Sequence, residues 1–163
     1  MTETPVQLKM ARVEGAQLAQ LVDDLRELVG ADRDPSDPAI GRLVPDAYPQ
    51  DEDAAQAFRD ATREDLLDRR AHDADVVRAA LAALRGDLAS MSQEEAFAEH
   101  EIAIPLPDID AWLRTLTALR LIIASRLGIE DDDDRDEDDA RYGVYDWLGY
   151  RLELLIDAAD QVI

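Results

Sequence analysis

The chain has 163 residues, room for one domain of ordinary size, and its 47% apolar content is enough to build a core. Its 38 Asp and Glu against 17 Lys and Arg leave a formal net charge of −21. That charge argues against direct nucleic-acid binding, whose affinity comes largely from Lys and Arg neutralising phosphates, and against anionic membrane surfaces. No cysteine is present, which removes disulfides, thiolate metal sites, cysteine nucleophiles and thiol redox switches.

In chain order, Val6, Leu8 and Met10 alternate as in a short strand. A helix is expected from about Arg12 to Val29, where Leu18, Leu21, Val22, Leu25, Leu28 and Val29 share one face. Gly30 stands where a C-terminal cap takes positive φ. Pro35, Pro38, Pro45 and Pro49 make 30–50 a Pro-rich crossing loop with room for one short helical turn, opened by Asp37 before Pro38. Residues 51–84 read as helical, with Thr62 and Asp65 able to cap a fresh start, so a kink or two abutting helices is expected near Thr62. Gly86 closes that stretch, and a short helix opened by Ser90 or Ser92 follows.

Ile102, Ile104 and Leu106 form a second alternating run. An offset of 96 lays the two runs over each other, and both lead into long helices, so the strands are expected to pair as a small ribbon. The next helix spans Asp108 to Leu127, with Ile109, Trp112, Leu113, Leu116, Leu119, Ile123 and Leu127 on one face and Gly128 as its stop. Residues 130–139 hold nine acids and one Arg, whose mutual repulsion predicts a mobile acidic loop. A last helix begins near Arg141 and runs to the end. The expected fold is mainly α: a single-domain bundle of about five helices over 1–163, with a small two-stranded β ribbon.

Chemistry-bearing patterns are few. Counted from Asp131, the acidic run lacks the Gly and Glu that a calcium loop needs, holding Asp136 and Tyr142 there instead. Asp65, Asp68, His72 and Asp75 share one side of a helix, as a helical metal site requires. That side is opposite the core side marked by Leu66, Leu67, Ala74, Val77, Leu81 and Leu84, so it reads as a wet stripe rather than a metal centre. His100, between Glu99 and Glu101, reads as a surface histidine. With four serines, two histidines, no nucleophile elbow and no Gly-rich phosphate loop, no catalytic set and no cofactor are expected. No apolar run approaches the roughly 18 residues of a membrane span, and MTETPVQLKM does not read as a signal peptide, so the cytoplasm is the expected location.

Two arginines stand out. Arg120 falls among Leu116, Ile123 and Leu127, and Arg151 falls among Val144, Trp147, Leu148, Leu155 and Ala158. A guanidinium keeps its charge when buried, so each needs a carboxylate such as Asp146 or Glu153, a route to water, or an acidic ligand or partner. The last helix carries a second apolar face of Tyr145, Leu152, Ile156, Ala159 and Ile163, and gathers Tyr142, Tyr145, Trp147 and Tyr150. Such a helix is buried on most sides or lends one face to a partner or a second copy. Arg120, Arg151, Tyr145, Asp146, Trp147, Leu152 and Ile156 are therefore the candidate partner-binding residues.

The strings RLVPDAYPQDEDAAQAFR (42–59), DAWLRTLTALRLIIASRLGI (110–129) and VYDWLGYRLELL (144–155) resemble an actinobacterial family of unknown function that includes the oxidative-stress transcription regulator AosR. The similarity spans nearly the whole chain. It implies a mainly helical cytoplasmic protein acting through other proteins, which for regulator-like members means a sigma factor or RNA polymerase, without direct DNA binding. Thiol sensing does not carry over to a chain with no Cys. The leading expectation is a non-enzymatic regulatory module. The alternative is a small helical metal-dependent hydrolase or metal-binding protein built on Asp65, Asp68, His72 and Asp75, and a homodimer through the C-terminal helix is compatible with either.

Overall fold

A computed structural model describes residues 4–44, 52–128 and 142–162. The acidic segment 130–139, residues 45–50 of the Pro-rich crossing and Ile163 lie outside them. The described residues form a mainly α fold of six helices and one small antiparallel sheet.

Strand β1 (Val6–Ala11) pairs antiparallel with β2 (Glu99–Ile104). The register sets Val6 opposite Ile104 and Leu8 opposite Ile102. Strand alternation turns these four and Met10 into the core and leaves Gln7, Lys9 and Glu101 in water. The second strand starts earlier than its apolar run and ends before Leu106. Pro105 has no N–H for the ladder, and Leu106 belongs to the 3-10 turn Leu106–Asp108.

Helix α1 (Arg12–Leu28) leaves β1 without a side-chain cap. Its first backbone N–H, that of Arg12, donates instead to the Ala98 carbonyl at 2.9 Å. The expected positive φ at Gly30 is not found: Val29 is the cap residue, and the described residues hold positive φ only at Gly128. Gly30 answers a steric demand, since a Cβ there would stand 3.0 Å from the Arg26 carbonyl oxygen.

Helix α2 (Pro38–Leu43) opens as its residues dictate. Asp37 accepts from the Ala39 N–H at 2.9 Å, with Pro38 at the first helical position. Helix α3 (Glu52–Ala80) runs through Thr62 as one helix, not two abutting ones. Ala54, Ala55, Ala57 and Ala61 favour propagation, and a fresh cap would give up backbone bonds that the helix already makes. Helix α4 (Gln93–Phe97) is capped by Ser92, whose hydroxyl accepts from the Glu95 N–H at 3.1 Å.

Helix α5 (Ile109–Leu127) lies at the centre, packed against α2, α3 and α6 (Gly143–Val162) and touching α1. It ends at Gly128 with φ 74°, the left-handed conformation that closes a helix at least cost for glycine. Trp112 and Leu116 of α5 are fully buried beside Leu18 and Leu25 of α1, Leu67 and Val77 of α3, and Leu148 and Leu155 of α6. Charged ties sit at the edges of this core. Arg114 forks onto the buried Asp73 with bonds of 2.8 and 3.1 Å, joining α5 to α3. Asp23 of α1 accepts from Arg85 and Arg78, and Arg26 holds Asp75 at 2.9 Å.

Candidate interaction site

The candidate residues all lie on α5 and α6, where helical periodicity separates them into inward and outward sets. Arg151 is buried, but its carboxylate is neither Asp146 nor Glu153. At about 100° per residue, positions five before and two after Arg151 point away from it. Its partner is Glu14 of α1, which also accepts a long bond of 3.4 Å from the Trp147 indole N–H. Arg151 donates a second bond to the Lys9 carbonyl oxygen at 2.9 Å. One guanidinium thus ties α6 to the last residues of β1 and the first turn of α1. A planar fork does this where a lysine's point charge would not.

Arg120 is half-buried and solved differently. It stacks over the Tyr145 ring with 4.1 Å from Cζ to the centroid, and its Nε–H points at the Tyr145 carbonyl oxygen at 3.4 Å. Among the described residues no carboxylate stands within ion-pair distance of it. Gly149 leaves the space: a Cβ there would lie 3.1 Å from Nη2. Tyr145 itself is buried with Tyr142 and Ala124, so its ring faces the protein.

What α6 offers to solvent is narrower than the apolar count implied. Asp146, Glu153, Asp157 and Asp160 form an exposed acidic stripe. Helical geometry places this stripe between Ile156 on one flank, 42% exposed, and Tyr150 on the other, 57% exposed. Leu152 and Trp147 are half-buried beside them. Sequence periodicity named Ile156 and Leu152 but not Tyr150. Tyr150 entered only as one of the four aromatics gathered on that helix.

The domain-of-unknown-function family DUF2017 matches residues 1–159 of this chain. The chain belongs to that family. No curated protein and no solved structure matches it.

On this DUF2017 chain two of the helical carboxylates are already engaged. Asp68 accepts from Arg33 at 3.2 Å and Asp75 from Arg26 at 2.9 Å, so a metal there would have to displace two guanidinium groups. Among the described residues, no three His, Asp or Glu side chains stand where they could share a metal ion. No helix among them is long and apolar enough to cross a membrane. Asp23 and Asp37 show how the cations are spent. The Arg85 fork holds the Asp23 carboxyl below its ordinary range against a smaller opposing effect of burial. Bonds from Arg126 and the Ala39 N–H do the same for Asp37. A feature that periodicity did not disclose is a groove between α1 and α5, to which α6 contributes nothing.

Proposed function

We propose that this protein is a non-enzymatic regulatory module that docks on a basic surface of another protein. The partner we favour belongs to the transcription machinery, a sigma factor or RNA polymerase, and the protein works without touching DNA in the cytoplasm of an actinobacterium. The observation that carries this reading is the outward face of α6, four acids between exposed Ile156 and Tyr150. Aromatic and aliphatic side chains set in like charge are what a partner of opposite charge would cover. The rest of the surface supports it. Arg26, Arg33, Arg78, Arg85, Arg114 and Arg126 are each held by acids, and the net charge of −21 leaves a negative field that repels phosphates and steers a basic partner. The resemblance to a regulator-containing family points the same way.

The test is affinity capture from native lysate at low and moderate salt, followed by titration of the purified protein onto the recovered component. RNA polymerase or a sigma factor should be recovered, more weakly as salt rises, and Tyr150→Asp with Ile156→Asp should abolish recovery. An empty capture, or one indifferent to both changes, refutes the reading. A concentration-dependent dimer that the same two changes dissolve would assign this face to a second copy instead.

A further inference from the structure

The groove between α1 and α5 encloses about 510 Å³ and has an aliphatic floor: Leu21, Leu25 and Leu28 from α1, and Leu119, Ile122 and Ile123 from α5. Leu25 and Leu119 are buried, while the other four are half-exposed, so the groove is lined by side chains that still have apolar surface to lose. Its rim is acidic. Asp24, Glu27, Asp32 and Asp34 stand there with only Arg33 and Arg126. Both arginines are already neutralised, Arg33 by Glu64 and Asp68 and Arg126 by a fork of two 2.8 Å bonds to Asp37. Among the described residues, Glu27 and Asp32 have no cationic partner.

We infer that this groove receives a basic amphipathic helix of about two turns from a partner protein. Three observations select that occupant. The walls are two α-helices whose groove-lining residues, Leu21, Leu25 and Leu28 against Leu119, Ile122 and Ile123, form ridges at helical spacing, which the ridges of a third helix complement. A strand would need unpaired backbone groups, and the backbone of both walls is hydrogen-bonded within its own helix. The floor takes apolar side chains, and a rim of unpaired acids selects Lys or Arg beside them over an acidic or neutral helix. From Leu21 to Leu28 the groove is about 10 Å long at 1.5 Å per residue, which sets the length of the bound segment. This inference deepens the proposed function by naming a second contact on the partner, remote from the α6 face.

The probe is a synthetic 14-residue helical peptide with Leu at helical spacing on one face and Lys or Arg on the other. A same-composition peptide with the spacing scrambled is the control, and both are titrated by fluorescence anisotropy at low and moderate salt. The amphipathic peptide should bind at least about tenfold more tightly than the scrambled one and weaken with salt. Ile122→Arg should abolish this preference, and Asp24→Lys with Asp32→Lys, both on exposed positions, should reduce affinity about tenfold and flatten the salt dependence. Methyl NMR should show Leu21, Leu28 and Ile122 shifting, and Ile156→Asp should leave the binding unchanged. Equal binding of the scrambled peptide, insensitivity to Ile122→Arg, or shifts confined to α6 would overturn the proposal. So would a dimer that Ile122→Arg dissolves, since the occupant would then be a second copy. If the peptide fails while polymerase capture through Tyr150 and Ile156 succeeds, the groove proposal falls alone. If the peptide binds and the capture is empty, the proposed function falls alone.

Discussion

Glu14→Ala would remove the carboxylate facing Arg151 and leave a guanidinium that the fold has already desolvated. The Arg151 side chain is 11% exposed and that of Glu14 is 32% exposed, so the arginine carries the greater penalty. Breaking a fully buried pair from one side costs about 3–5 kcal/mol. Here Arg151 keeps its bond to the Lys9 carbonyl and water can enter where Glu14 stood, which places the expected loss near the lower end, about 2–3 kcal/mol. For a chain of this size that is a fall of about 5–10 °C in Tm. Urea unfolding followed by circular dichroism gives the free energies, and Trp147, next to Glu14, reports the local environment by fluorescence.

The double replacement Glu14→Leu with Arg151→Met is the decisive arm. Replacing a buried pair by well-packed apolar side chains is often neutral, so the double variant should be close to wild type and well above Glu14→Ala. Closed with the single variants Glu14→Leu and Arg151→Met, the cycle should show a coupling of about 2 kcal/mol, several times the roughly 0.3–0.5 kcal/mol scatter of independent sites. A loss under about 0.5 kcal/mol for Glu14→Ala, or additive single changes, would mean that Arg151 reaches water and does not tie α6 to α1.

Asp23 gives a pH dependence of definite sign. Its folded carboxyl titrates below the ordinary value of 3.8 because Arg85 donates to it, so the unfolded state binds the proton more readily. Its contribution is whole above that ordinary value and is lost as pH falls through the folded value. Urea midpoints of Asp23→Asn should therefore be lower at pH 7, with the gap to wild type narrowing as pH falls below 3.8. Asp37→Ala removes both the cap of α2 and the Arg126 fork. It should cost about 1–2 kcal/mol by chemical denaturation, mostly through the cap, because the fork's arginine is half in water. Gly15→Ala should destabilise despite the better helix propensity of Ala. Its Cβ would fall 2.4 Å from Leu84 Cδ1 and 2.9 Å from Leu84 Cβ in the core, and overpacking of this kind costs about 1–3 kcal/mol. Gly41→Ala, in α2 with nothing within 4 Å of the added methyl, should raise stability by about 0.5–1 kcal/mol, measured in the same assay.

Where the elements lie was legible in the residues, because the interactions that make them are local. Asp37 before Pro38, Ser92 three residues before Glu95, and Gly128 after Leu127 act within one turn of chain. The alternation of Val6, Leu8 and Met10, and the helical spacing on α1 and α5, reflect a two-sided environment that any core imposes. The acidity and the lack of cysteine limited the chemistry in the same direct way.

Gly30 and Thr62 misled because each carries a local signal that competes with what surrounds it: a carbonyl of the preceding turn at Gly30, and an alanine-rich helix already propagating at Thr62. The partner of Arg151 was beyond reach for a different reason. Periodicity states which side of a helix is buried but not what it is buried against, and Glu14 meets Arg151 from 137 positions away. The same holds for Arg120 over Tyr145 and for the groove between α1 and α5, neither of which exists until separate helices pack. Local hydrogen bonds and amphipathic faces are properties of short stretches of chain; pairings and clefts are properties of how those faces are shared out among them.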